Sequence, residues 1–471
     1  MAAASGSMNR KSQMHSPALR LIILLLSSAP FMVEAQFEYT TNFTIITNSG
    51  VITTNGAVTI TGYGGSCGTL VIPAELNGYP VTSIGSGAFE YNTTLTNVSV
   101  PDSITELGND SFAYCNSLTN ISLGSGITNI GGYVTTFGGR SFIGDNAFFN
   151  CTNLIGITVD PQNPVYSSTN GVMFDKSQST LIQFPPGLTN DYAIPDGVTS
   201  IGFEAFATAL VNGVTIPDSV TTISNNAFED CDDLSSIFIG SGVADIVSDY
   251  TEFPGGIFIY NSPFGLCPSL TNITVSVENS VYSSANGVLF NKNQTTLVAV
   301  PCGLGGTCLI PDSVTVIGDQ AFVNCSSLTG IILGTGVTNI ESQAFLGCSD
   351  LIAIYFEGNA PSADATAFGP GLTICYLPDA TGWSTGFENC PTALWLPQIQ
   401  TAGASFGTQA NQFGFNISWA SGQTVVVQAC TDITNPMWQP IWTNTLASLT
   451  TNFIDSQWAN YPNRFYRVVS E

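Results

Sequence analysis

The chain has 471 residues, 33 of them Asp or Glu against 8 Lys or Arg, and a formal net charge of −25. So acidic a surface lacks the cations that displace counterions from nucleic acid or an anionic bilayer, and neither is an expected partner. The one histidine, His15, falls within the first 35 residues, so beyond them Ser-His-Asp and Cys-His catalysis and histidine-ligated metals are excluded.

Arg10, Lys11 and Arg20 lead into an apolar run from Leu21 to Leu26 and then into small residues up to Ala35. This pattern predicts a secretory signal peptide over residues 1–35 and an exported chain. The apolar run is far short of the ~20 residues of a spanning helix, so no membrane insertion is expected after cleavage. Residues 36–65 read as two strands, Phe37 to Ile46 and Val51 to Thr61, broken by Asn-Ser-Gly and Asn-Gly turns. They predict an N-terminal β cap over the open end of a repeat core.

Residues 66–398 are that repeat. The stretch Leu118-Thr-Asn-Ile121-Ser-Leu123 is followed by a Gly-Ser-Gly turn, an apolar pair (Ile127, Ile130), and Ala147-Phe148-Phe-Asn-Cys151. The same order recurs, with Phe89, Phe112, Phe148, Phe206, Phe228, Phe264, Phe322, Phe345 and Phe368 spaced by 23, 36, 58, 22, 36, 58, 23 and 23. The run 36, 58, 22 is a super-repeat of 116 residues that lays Val165–Phe174 onto Val281–Phe290. One unit of ~23 residues has no second layer on which to bury its Leu, Ile, Val and Phe, so the units must stack as coils with continuous apolar ladders. Pro101, Pro195, Pro217 and Pro311 stand where the chain leaves a strand and no ladder N–H is needed. Two insertions, Gly131 to Gly144 and Val247 to Tyr260, fall at equivalent places.

The units Ile216-Pro-Asp-Ser-Val-Thr-Thr-Ile223-Ser-Asn-Asn-Ala-Phe228-Glu-Asp-Cys231 and Ile310-Pro-Asp-Ser-Val-Thr-Val-Ile317-Gly-Asp-Gln-Ala-Phe322-Val-Asn-Cys325 resemble the BspA-like leucine-rich repeats of bacterial surface and secreted proteins. The hairpin-like stretch from Asn286 to Leu297 resembles another element of that family. The resemblance implies a leucine-rich-repeat solenoid of parallel-strand-rich coils with short helical or irregular turns. It also implies roles in adhesion and ligand binding, without a shared active site.

From Trp395 the repeat stops. Residues 399–471 carry alternating segments (Phe413 to Trp419, Thr424 to Ala429, Trp438 to Thr443, Phe465 to Val469) that predict a small C-terminal β-sandwich-like module.

Of twelve cysteines, Cys115, Cys151, Cys231, Cys267, Cys325 and Cys348 each follow a repeat Phe by three residues. There a small side chain points inward, which predicts a column of buried thiols. Cys302 with Cys308, and Cys375 with Cys390, are disulfide candidates in an exported chain. No C-x-x-C spacing points to zinc, and acidic clusters such as Glu229, Asp230, Asp232 and Asp233 lack calcium-loop spacing, so no metal or cofactor is expected.

The reading is a secreted or cell-surface binding and adhesion protein that engages a protein or glycan ligand without catalysis. The alternatives are a structural component of envelope or matrix with no discrete ligand, and a glycosidase with paired carboxylates, although nothing isolates two acids at one place. The first expected ligand contacts are the insertion aromatics Tyr133, Phe137, Tyr250 and Phe253, because loops on a rigid scaffold commonly carry function. Phe142 and Phe258, nearest the coils, suit a lid instead. The second expected contacts are Phe238 and Tyr355, where outward strand positions that are otherwise small and hydroxylated become aromatic. Thr at those positions also suits any exposed strand.

Overall fold

The computed structural model describes residues 36–48, 51–131, 134–137, 140–143, 146–246, 251–253, 257–259, 262–409 and 412–470. The expected signal peptide lies outside them. The hairpin Phe37–Asn48 with Val51–Tyr63 opens the fold. Val51–Tyr63 pairs in parallel with Tyr79–Ile84, so the hairpin starts one sheet of the solenoid.

Each coil supplies two short strands. The longer ones form a front sheet: Thr69–Val71, Asn97–Val100, Asn120–Leu123 and Gly156–Val159 stack in parallel and in register. The shorter ones, such as Glu106–Leu107 and Asn129–Ile130, form a back sheet. Register puts Leu70, Val98, Ile121 and Ile157 in one row, all buried, as alternation requires. The front sheet then restarts twice, over Tyr192–Ala193 to Asn272–Val275 and over Gly306–Ile310 to Cys390–Leu394. Three apolar cores share the same division.

The third edge of each coil carries the phenylalanines. Phe89 and Phe112 stack at 4.8 Å, Phe206 and Phe228 at 4.8 Å, and Phe322 and Phe345 at 5.0 Å. Across the 36-residue steps Phe112–Phe148 and Phe228–Phe264 remain stacked at 6.0 Å, because the extra residues leave the coil as insertions. The 58-residue steps hide a further coil. Phe184 occupies the ladder, 4.8 Å from Phe206, and Val300 stands 116 residues later. Pro comes after each of them (Pro185, Pro301), and no Ala-Phe turn is present to reveal the coil in the sequence.

The turns are irregular rather than helical; among the described residues the one helical element is a 3-10 turn, Trp458–Asn460. Two residues past the ladder Phe the backbone enters the left-handed region, at Tyr91, Tyr114, Asn150, Thr208, Asp230, Leu266 and Asn324 with φ of 54–59°. One residue later the repeat thiol turns inward and donates to the ladder carbonyl of the preceding coil. Cys115 bonds Phe89 O at 3.0 Å, Cys151 bonds Phe112 O at 3.0 Å, Cys231 bonds Phe206 O at 3.0 Å and Cys267 bonds Phe228 O at 2.9 Å.

Two antiparallel hairpins separate the blocks, Tyr166–Thr169 with Val172–Asp175 and Tyr282–Ala285 with Val288–Asn291. Their two-residue turns are Asn170-Gly171 (φ 51° and 82°) and Asn286-Gly287 (φ 50° and 81°). Both residues need positive φ to match the strand twist, which is why Asn-Gly is found there. A fully buried asparagine ties each hairpin to the coils. Asn163 Nδ2 donates to Gly124 O and Ile127 O, and its Oδ1 accepts from the N–H groups of Val165 and Tyr166. Asn279 repeats all four bonds.

The solenoid sheets end at Cys390–Leu394, and Gln398–Gln400 already pairs with Gln412–Ser418 in the next unit. Two antiparallel sheets there enclose Phe415, Ile417, Trp419, Val425, Val427 and Phe453, and Leu377 of the last coil joins that core. Trp419 Nε1 donates to Trp395 O at 2.8 Å, which joins the unit to the solenoid end. Strand Thr450–Asp455, absent from the expected segments, pairs with Gln412–Ser418. Among the described residues no helix is long and apolar enough to cross a membrane.

Candidate binding face

Alternation along the front strands sends every second side chain away from the core, and parallel register lines these side chains up. In the first block the outward rows are Asn97 with Asn120, and Val71, Ser99, Ser122 and Thr158. The amides bond laterally: Asn120 Nδ2 donates to Thr119 Oγ1 at 3.1 Å, and Asn97 Nδ2 donates to Thr96 Oγ1 at 3.1 Å. A shallow depression runs over Thr69, Asn97, Ser99, Asn120, Ser122 and Thr158.

Along the axis the same rows become apolar. Phe238 lies between Thr215 and Thr274 and is 41% exposed. In the third block one row reads Leu309, Ile332, Tyr355, Cys375 and Ala393. Leu309 is 58% exposed, while Ile332 is buried between its row neighbours. Ile352, at the entry to the Tyr355 strand, is 71% exposed. Tyr355 is half-buried with its ring 4.8 Å from Trp395, and this burial pushes its phenol above the ordinary range. None of these outward positions is charged, in a chain whose net charge is −25. Asp191 reaches this side of the sheet beside Gly213 in the second block; other acidic groups stand on Pro-Asp turns. Asp102 accepts from the Ser125 N–H at 2.7 Å and Asp218 from the Ser241 N–H at 2.6 Å, and those bonds hold both carboxyls below the usual range.

Two of the six aromatic positions expected from the sequence therefore lie on this face, Phe238 and Tyr355. Tyr133 and Tyr250 lie outside the described residues. Phe137 and Phe253 fall in short hairpins, Val134–Phe137 with Arg140–Ile143 and Thr251–Phe253 with Ile257–Ile259, where the backbone alone is described. Phe142 and Phe258 share that position. The two hairpins approach each other, with Arg140–Ile143 against Thr251–Phe253. Leu309 was missed as a face residue; its signal was a large apolar side chain two residues before Pro311, at an outward position.

The expected disulfides are corrected. Cys302, Cys308, Cys375 and Cys390 are all free thiols. Parallel register sets Cys375 opposite Ala393, so Cys390 lies three residues away along the strand. That offset is about 10 Å, beyond the reach of a disulfide. Cys302 turns into the core, where its thiol donates to Val323 O at 3.4 Å and Phe264 O at 3.6 Å. Cys308 packs against the same core from its strand, and burial pushes its thiol up to about 11. Among the described residues no group of three or more His, Cys, Asp or Glu side chains is arranged to hold a metal.

The family model for the BspA type leucine rich repeat region matches six copies, over residues 70–142, 188–301 and 306–380, together more than half of the chain. The chain belongs to the BspA type leucine-rich-repeat family. Solved structures similar to it include a leucine rich cell surface protein from Faecalibacterium prausnitzii A2-165, at 22% identity and a TM-score of 0.39, covering 72% of this chain and 88% of that one. Another is a leucine-rich repeat protein from Eubacterium ventriosum ATCC 27560, at 18% identity and a TM-score of 0.39, covering 75% and 99%. The pneumococcal vaccine antigen PcpA is similar at 14% identity and a TM-score of 0.30, covering 72% and 92%. No match was found among curated proteins.

Proposed function

We propose that this protein is exported to the cell surface and acts there as a binding protein, engaging a protein or glycan ligand on the front sheet of its repeat scaffold. The observation that carries this reading is a front face whose outward rows hold almost no charge on a strongly acidic chain, Asp191 beside Gly213 being the exception, hydroxyl- and amide-rich at one end and apolar at the other. A solvated face would be expected to share the acidity of the rest, whereas the centre of an interface is depleted in charge. Parallel strands tied by inter-coil bonds keep the face rigid, so little ordering cost attends binding. The apolar third, with Leu309, Ile352, Tyr355 and Trp395, is the expected anchor, since aromatic and large apolar groups dominate hot spots.

Residues 36–471 screened against protein and glycan arrays should show at least one saturable ligand. Joint replacement of Leu309 and Ile352 by Ser should weaken that binding tenfold or more, about 1.4 kcal/mol or above, while the circular dichroism spectrum is retained. Saturable binding that is indifferent to this variant would move the site off the front sheet. The absence of any saturable ligand would favour a structural filler instead.

A further inference from the structure

We infer that the outer face of the second sheet of the C-terminal unit binds an acidic polysaccharide, a chain of uronate units, with Arg467 holding a carboxylate and Phe465 the adjoining sugar ring. That sheet orders Gln439–Thr445, Thr424–Cys430 and Phe465–Ser470. Val425 and Val427 turn into the core, so Gln428 and, opposite it, Arg467 turn outward. Phe465 shares that side two residues from Arg467, about 7 Å along the strand, and is 36% exposed. Thr443, outward opposite Val426 on the far strand, is exposed as well, so the face is open.

The placement of charge selects an anion. Thirty of the chain's 33 acids precede residue 399, and the C-terminal unit has three against Arg464 and Arg467. Arg464 is spent on Asp455, 2.9 Å away. Lys176 and Lys292 donate to backbone carbonyls beside the solenoid hairpins. Arg467 has no carboxylate. Its Nε donates to the neutral Gln428 Oε1 at 2.8 Å, and its guanidinium lies 4.6 Å from the centre of the Trp438 ring. Those two contacts fix the plane of the fork and leave its Nη groups without a hydrogen-bond partner among the described residues. That edge is the one a carboxylate occupies in bidentate fashion. Asp432, on the loop before Trp438, is turned onto its own turn, where Oδ1 accepts from the Thr434 N–H at 2.9 Å and from Thr434 Oγ1 at 2.7 Å. The acidity of the solenoid acts weakly at this distance, since exposed charges are screened beyond about 8 Å at physiological salt.

A uronate unit satisfies both groups at once. The C–H groups of its ring pack on the face of Phe465, and the carboxylate carried on that ring reaches Arg467. Trp438 and Gln428 are positioning residues that hold the guanidinium ready, so little ordering cost attends binding. The Thr443 hydroxyl on the same face suits sugar hydroxyls. This site stands apart from the front sheet and does not depend on a ligand there.

The test is affinity electrophoresis of the full chain in native gels cast with polygalacturonate, or with the fully methyl-esterified polymer as the same backbone without its charge. The expected result is retardation by polygalacturonate at least tenfold stronger than by the ester. Arg467→Gln and Phe465→Ser, both at exposed positions, should each weaken it fivefold or more with the circular dichroism spectrum retained. Joint replacement of Leu309 and Ile352 by Ser should leave it unchanged, so failure here and failure on the front sheet are read separately. Absence of retardation, equal retardation by the two polymers, or retardation indifferent to Arg467→Gln overturns the proposal. So does competition by polyglutamate as effective as that by oligogalacturonate, which would identify a site for acidic peptide.

Discussion

The two copies of the 116-residue super-repeat share an interior and differ in the polar groups that cross it. Phe112 and Phe228 are equivalent, and each stacks on one neighbour at 4.8 Å and the other at 6.0 Å. Asn163 and Asn279 make the same four bonds. At the hidden coil the copies part. In the first, Glu204 Oε2 accepts from the Asn146 N–H at 2.8 Å; in the second, Gln320 Oε1 accepts from the Ser262 N–H at 3.1 Å. These bonds reach across 58 residues because the intervening coil has no Ala-Phe turn, so the turns on either side meet directly. The ladder thus sets the shape of the coil. A polar crossing needs only an acceptor of the right length, charged or not.

The largest expected effect comes from breaking the shared part. Phe228→Ala should cost about 3–5 kcal/mol in chemical denaturation, and Phe112→Ala the same, since a stacked ring cannot be replaced by collapse from both sides. Unequal losses would show that the copies do not share one packing.

Asn279→Ala should come next, at about 2–4 kcal/mol, because two carbonyls and two N–H groups lose their partner in a dry interior. Asn163→Ala should match it in equilibrium unfolding. A small change at either position would mean that water reaches the hairpin base.

Glu204→Gln exchanges one copy's solution for the other's, and unfolding free energy should shift by less than about 1 kcal/mol. A large loss would show that the carboxylate's charge, rather than its reach, holds the Asn146 turn.

The smallest effect concerns acid. Asp102 and Asp218 are equivalent, and both carboxyls are depressed by the N–H of the next coil's turn. A depressed carboxyl adds stability above its unfolded value, near about 4, and loses that contribution as pH falls through the folded value. Melting curves of Asp102→Asn with Asp218→Asn should therefore lie slightly below the wild type at neutral pH, decline less steeply below about pH 4 and converge with it in acid. Parallel declines would assign the acid sensitivity to other carboxylates.

Much of this molecule was legible in order along the chain. The coil period, the ladder Phe and the inward thiols all arise from local alternation and from apolar groups that one coil cannot bury alone. The hidden coil escaped because its ladder residue, Phe184 or Val300, lacks the turn that marks the others. The surroundings of Cys302 escaped for a related reason: proximity in sequence pointed it to Cys308, whereas stacking turns it into the core toward Val323 O and Phe264 O. The front face was half legible. Alternation placed Phe238 and Tyr355 outward, but the burial of Ile332 and the exposure of Leu309 depend on neighbours 23 or more residues away. Periodicity by itself determined which side chains point inward, because burial is a property of each coil's own pattern. Which side chains touch across coils was decided only by the tertiary structure, because insertions and shortened coils change what lies one layer away.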